Sequence, residues 1–577
     1  MIDQDHSRRG FFAFMAAVSA AHAIPAQADE GQSASGTSPS PTKPAAAAAQ
    51  QIDQSTIAHA EQLAGISFTT EERQIMSETI GDQITMLQAR QERIPLGESL
   101  FPATIFNPLL PGRQPQLVTS AGDPNALPVR KRSVPTDSAE LAFSSIAELS
   151  SWLRSRDITS QQLTRLYLDR LKQHDANLHC VVTLMEARAM DQARRADAEL
   201  DAGQWRGPLH GIPWGAKDLL DTRDAPTTWG AATHQTRQPK HNATVIDRLD
   251  QAGAVLVAKL SLGALAYGDI WFGGRTNNPW NTEEGSSGSS AGSAAATAAG
   301  LVGFSLGTET YGSIVSPSMR CGATGLRPTF GRVPRDGAMA LCWSLDKIGP
   351  IVRHSADAAP ILAAINGAST GDPASVTQPF HADASAGVQG LRIGYDPALF
   401  SDDETGQMEQ QAIDVLREAG CTLKKITLPD WPWSTLLTIL FAEATAAFES
   451  LTRSDQDDLL TWQEPEAWPN TFRQSWFIPA PELVQADRFR RMCMEHYAGI
   501  FDELDAMIGP SYADGMLLAT NCTGHPSLTV PIGLKEDGSP HAITLIGRLF
   551  DEGTLLRLGT SMESACWPVS LRRPPLD

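Results

Sequence analysis

The densest chemistry in this chain lies in residues 285–313, a run of glycine, serine and alanine closed by Thr308-Glu309-Thr310-Tyr311-Gly312-Ser313. Glycines let backbone amides approach a reacting group. A serine hydroxyl becomes a nucleophile once a neighbouring base takes its proton. A composition of this kind commonly marks a flexible linker. Here the run is flanked by apolar stretches, and 293–299 is predicted to form a close-packed helix of small residues. Upstream, Lys217 follows the largely apolar run 212–216. A lysine amine titrates near 10.4 and acts as a base only if burial lowers that value by several units. An apolar approach suits such a site.

Other serine patterns compete. Gly288-Ser289-Ser290-Ala291-Gly292 and Gly303-Phe304-Ser305-Leu306-Gly307 both fit the GxSxG elbow of α/β-hydrolases, but neither sits cleanly between a strand and a helix. Ser344-Leu345-Asp346-Lys347 fits the SxxK of penicillin-binding-type enzymes, without the accompanying KTG or SDN. The 13 histidines show no paired-ligand spacing, so neither a metal nor a cofactor is expected. The seven cysteines contain no CxxC and read as small buried hydrophobes.

Three motifs in order carry a resemblance. Gly207-Pro208-Leu209-His210-Gly211-Ile212-Pro213 leads to Lys217-Asp218. Ser287-Gly288-Ser289-Ser290-Ala291-Gly292-Ser293 follows, then Gly307 to Ile314 with Pro317, Cys321-Gly322 and Gly325-Leu326-Arg327-Pro328-Thr329. Gly524-His525-Pro526-Ser527-Leu528 and Leu545-Ile546-Gly547-Arg548 resemble closing segments. Over roughly residues 140–575 the chain resembles the amidase signature family of serine hydrolases.

That resemblance implies an α/β fold, a large mixed sheet with helices on both faces, and cleavage of a carboxamide through an acyl-enzyme. It implies Ser313 as nucleophile, Ser289 as proton relay and Lys217 as base. Backbone amides of Thr310, Tyr311, Gly312 and Ser313 would hold the oxyanion, with Tyr311 and Ser290 at the substrate. The chain departs from the family pattern at Glu309 (usually Asp), Tyr311 (usually Gly), Val315 (usually Arg), and at Ser287 and Ala291 (usually Gly). An acid that has lost its Arg needs another partner. Tyr311 is expected to line the acyl pocket. The glutaminase-type component of a tRNA amidotransferase is the alternative within the family, and a non-catalytic binding protein the alternative outside it.

The elements that must position these residues are legible in part. Thr69 with Glu72 forms a capping-box signature in a helical extension at 56–138, whose later part is Pro-rich. From 139 to 577 helices alternate with short apolar strands. Residues 146–172 read as a helix broken at 157–159, with Thr159 capping the second piece. Another helix is expected over 184–202, with strands near 211–216, 254–258 and 391–395 and a helix over 405–418. Aromatic residues over 430–490, including Trp431, Trp433, Trp462, Trp468, Phe472 and Trp476, could line a pocket or pack the core.

Residues 1–28 read as an export signal. Arg8-Arg9 precedes a short apolar run and small-residue sites ending at Ala28, in the manner of a twin-arginine leader to the periplasm or beyond. That run is too short for a stable membrane anchor. Residues 29–55 are a Ser/Pro/Ala-rich linker. With 46 Lys+Arg against 66 Asp+Glu, a net charge of −20 argues against nucleic acid as a partner. The expected partner is a small amide, and nothing in the sequence signals an oligomer.

Overall fold

The computed structural model describes residues 52–576, apart from 95, 118–121, 128–131, 384 and 402. The expected signal at 1–28 and most of the expected linker lie outside the described residues. A first helix, α1 (Gln54–Ala64), starts slightly before the expected boundary because Asp53 caps it through Thr56 N–H at 2.8 Å. Next, α2 (Thr70–Arg93) begins at the Thr69/Glu72 capping box. Glu61 bonds Arg73 at 2.7 Å and ties the two helices together. Arg90 makes two bonds of 2.7 Å to Glu449 and ties α2 to the body.

Eleven strands form one mixed sheet. In chain order they are β1 (Val181–Leu184), β2 (Pro213–Lys217), β3 (Val255–Leu260), β4 (Phe304–Glu309), β5 (Thr324–Arg327), β6 (Lys347–Val352), β7 (Arg392–Tyr395), β8 (Thr422–Lys425), β9 (Ala506–Pro510), β10 (Ser527–Leu534) and β11 (Pro540–Gly547). Across the sheet they run β1-β3-β2-β4-β6-β5-β10-β11-β9-β7-β8. The trios β3-β2-β4 and β9-β7-β8 are parallel, and the remaining neighbours are antiparallel. Every residue of β2, β3 and β6 is buried. Successive side chains point to opposite faces, so both faces of the central sheet are covered.

Helices break where the sequence says they should. Helix α3 (Ile146–Ser155) stops at Arg156 in the left-handed conformation, and α4 (Ser160–Leu178) restarts at a capping box of Thr159 with Gln162. The next helix, α5 (Glu186–Asp201), packs on β3. The small-residue segment is α6 (Ala291–Ala298), in which every residue is buried. Alanine and glycine suit it because space is short: a Cβ at Gly292 would sit 2.5 Å from the Cys180 carbonyl. Ser293 Oγ donates to Leu306 O at 2.9 Å, and Ser305 Oγ donates to Ser293 O at 2.9 Å, so α6 is stitched to β4.

Six of the seven cysteines are buried. Among the described residues no helix is long and apolar enough to cross a membrane.

Candidate active site

The parallel pairing of β2 and β4 sets up the site. Ala216 pairs with Leu306, so Lys217 and Thr308 reach the same carboxyl end of the sheet, where α/β folds place their chemistry. Lys217 Nζ lies 2.9 Å from Ser289 Oγ, 3.1 Å from Ser290 Oγ and 2.8 Å from Thr308 Oγ1. Ser290 Oγ donates to Thr308 O (3.0 Å) and accepts from Thr308 N–H (3.1 Å), which commits its proton. Ser290 N–H donates to Ser313 O at 3.2 Å and pins the serine loop against the turn that follows β4. The Gly288–Ser289 peptide is cis. Gly288 is required there, since a Cβ would lie 1.9 Å from the Gly268 carbonyl.

Electrostatics prepares the lysine. Burial pulls the Lys217 amine well below the ordinary 10.5, while the more distant Asp346 and Glu309 oppose it. The adjacent carboxylate does not neutralise Lys217. Asp218 is spent on Lys259, at 2.7 Å with both side chains fully buried, and on Thr228. Among the described residues no carboxylate pairs with Lys217. Burial of this kind favours the neutral amine, whose lone pair can take a proton.

The three expected residues differ in access. Lys217 is fully buried and Ser289 is 1% exposed, whereas Ser313 is 9% exposed and lines a cavity. Thr310, Tyr311 and Gly312 line the same cavity. Ser290, expected at the substrate, is instead fully buried, its hydroxyl is held by Lys217 and Thr308, and it is not among the cavity-lining residues. Of the aromatic residues over 430–490, Trp468 reaches the cavity, Phe472 stacks on Trp468 from within the core, Trp431 and Trp433 cluster with Phe489, and Trp476 is exposed.

The competing serines are placed elsewhere. Ser305 is fully buried inside β4 rather than on an elbow. Ser344 Oγ donates to Glu443 at 2.6 Å and accepts from Arg490, while Lys347 Nζ donates to the Leu345 carbonyl.

Thr308 lies inside one of the sequence motifs, yet no local pattern gives it a role. Only the β2–β4 register reveals it as a direct partner of Lys217. Thr308→Val keeps the shape and removes the hydroxyl. We expect kcat to fall about tenfold with KM nearly unchanged, the worth of one buried hydrogen bond, and Thr308→Ser to restore it. Steady-state kinetics on both variants checks this.

A sequence model of the family described as Amidase matches residues 162–519, more than half of the chain. The chain belongs to the amidase signature family. Amidase relatives include a Glutamyl-tRNA(Gln) amidotransferase subunit of Chloroflexus aggregans, 34% identical over 489 residues, covering 76% of this chain and 99% of that one. The corresponding protein of Hahella chejuensis is 32% identical over 464 residues, 72% and 95% of the two chains. Among solved structures, the peptide amidase of Stenotrophomonas maltophilia superposes with a TM-score of 0.67 at 30% identity, covering 75% of this chain and 98% of that one. Cleavage of a carbon–nitrogen amide bond follows from this membership.

Two departures from the amidase pattern, Glu309 and Ser287, are satisfied by local partners. Glu309 finds its partner in Arg327 at 2.7 Å, both fully buried, and also accepts from Asn521 at 2.9 Å. Its other oxygen accepts the N–H groups of Ile314 (2.8 Å) and Val315 (3.0 Å), which fixes the turn after Ser313. Burial alone would raise the Glu309 carboxyl, but Arg327, Lys347 and the Val315 N–H together outweigh it and hold it at about 2. Val315 is fully buried in α7 (Val315–Cys321). Ser287 takes the left-handed conformation (φ 61°) that glycine adopts without cost; Asp269 holds its N–H at 2.9 Å, and its hydroxyl bonds Ser316.

Arg327→Met strands the Glu309 carboxylate in the core. It should cost about 3–5 kcal/mol of stability, the penalty of breaking a buried pair. Denaturant unfolding of the purified variant measures it.

Proposed function

We propose that this amide-cleaving enzyme is a free-standing amidohydrolase with Ser313 as nucleophile, Ser289 as relay and Lys217 as base. The observation that carries the reading is the uncharged-favouring burial of Lys217 with Ser289 Oγ at 2.9 Å. A neutral amine has two N–H groups and one lone pair. Ser290 has committed its proton to Thr308 O, so Ser289 can give its proton to the lone pair while the amine donates to Ser290 and Thr308.

Ser313 Oγ bonds the carbonyl carbon and passes its proton to Ser289 Oγ, whose own proton moves to Lys217 Nζ. The carbonyl oxygen, now an anion, is held by the backbone N–H groups of Thr310, Tyr311, Gly312 and Ser313. The carbon–nitrogen bond breaks, and the proton returns along the same route to the departing nitrogen. Water then attacks the Ser313 ester by the reverse sequence and releases the acid.

A fluorophosphonate should label Ser313, as located by peptide mass spectrometry. The label should disappear in Ser313→Ala and Lys217→Ala. Label on Ser344 or Ser305 in its place would reject the assignment.

The second reading is the glutaminase-type component of an amidotransferase, favoured by identity to the Chloroflexus relative over nearly its full length. The −20 charge and the Arg8-Arg9 leader signature support an exported enzyme acting alone instead. On that view residues 56–138 are an extension to a catalytic domain at 139–577. N-terminal sequencing of the protein recovered from the periplasm tests export; an intact Met1 in the cytosol would refute it.

A further inference from the structure

Resting on the amidohydrolase reading, we propose that this site takes carboxamides whose acyl group is uncharged and apolar, aromatic rings included, and turns away acyl groups that carry a charge. The cavity at Ser313 has no Asp, Glu, Lys, Arg or His among its lining residues. Beyond the reacting turn its walls include Tyr267, Leu341, Leu440, Trp468 and Leu517, and Tyr311 also lines it. An ionised group brought into such a cavity loses its hydration and gains no counter-charge, which strongly disfavours entry. An apolar group gains from every Å² it removes from water.

The aromatic wall is held rigidly. Trp468 Nε1 donates to Leu265 O at 2.9 Å, and its ring stacks on Phe472 with centroids 5.0 Å apart. Tyr267 meets Trp468 at 5.2 Å and Trp462 at 5.0 Å. Rings fixed in this way present faces and edges to a substrate ring without an ordering cost. Polar groups on the lining include Ser316 and Tyr512, and both are already engaged: Tyr512 bonds Ser316, which bonds Ser287. They offer at most weak support to a neutral polar atom and none to a charge.

Charges do lie beyond Thr310 and Leu341, around a neighbouring cavity, and several of them are already paired. Arg237 pairs with Asp221 at 2.6 Å and Arg335 with Asp372 at 2.8 Å. Asp346 accepts the Thr310 hydroxyl (2.6 Å) and the N–H groups of Leu341 and Cys342.

The test uses two fluorophosphonates of equal length on the full chain, one ending in a phenyl ring and one in a carboxylate. Labelling of Ser313 is followed by intact mass. The phenyl probe should react at least roughly tenfold faster. Equal rates, or a faster carboxylate probe, would overturn the apolar assignment while leaving the nucleophile established. If neither probe reaches Ser313, the amidohydrolase reading itself fails, and the proposal with it. Hydrolysis of phenylacetamide against glutamine gives an independent check, with preference for glutamine overturning the proposal.

Discussion

Lys217→Ala is expected to lower kcat for amide hydrolysis by roughly 10⁴-fold or more, the scale seen when a base is removed from a coupled serine triad. The effect should fall on kcat rather than KM, because Lys217 is fully buried and touches hydroxyls rather than the cavity. The wild-type pH profile carries the same information. Burial pulls the Lys217 amine well below 10.5, so its base form is populated well below that pH. Below its folded-state value the amine is protonated and activity should fall tenfold per pH unit. Stability follows the same sign. Between that value and 10.5 the unfolded chain binds the proton that the folded chain refuses. Stability should therefore rise with pH across this window and decline as pH falls through it. Rate and unfolding measurements across pH check both slopes. A profile limited only near 10.5 would contradict a desolvated base.

Ser313→Ala should abolish acyl-enzyme formation, again by roughly 10⁴-fold or more, and Ser289→Ala should come close to it. The informative variant is the double one. If Ser289 acts only by carrying the proton of Ser313, then removing both should be no worse than removing Ser313 alone, since residues that act as one unit are grossly non-additive. Two independent losses that multiply would mean that Ser289 has a separate role. The geometry favours the coupled outcome. Ser289 is 1% exposed and bonded to Lys217, whereas Ser313 lines the cavity. Of the two serines, Ser313 is therefore the one that faces the cavity. Single-turnover rates on the four proteins give the cycle.

Much of the fold was readable from local signals. Thr69 with Glu72 and Thr159 with Gln162 start helices where the sequence places them, because a capping box satisfies orphan N–H groups using residues three apart. Strands β2, β3 and β7 and the small-residue helix α6 were likewise legible, since apolar runs between turn residues need no distant partner to be recognised. The motifs singled out Lys217, Ser289 and Ser313 by residue type and order, and the resemblance implied the roles proposed for them.

What stayed hidden depended on residues far apart in the chain. Thr308 becomes a partner of Lys217 because β2 and β4 run in parallel register, a relation that no local pattern encodes. Ser290 turned inward for the same reason. The replacement of the usual arginine at Val315 looked like a loss until β5 brought Arg327 to Glu309. The aromatic segment split between cavity wall, core and surface, and only packing could decide which ring went where. By itself the sequence pointed to the family and to amide cleavage and put forward three residues for its chemistry, since these are written in residue types at short spacing. The tertiary structure decided which hydroxyls surround the amine, that burial depresses it and how apolar the cavity at Ser313 is. Charge state and cavity lining arise from the summed surroundings of a group, and those surroundings exist only once the chain has folded.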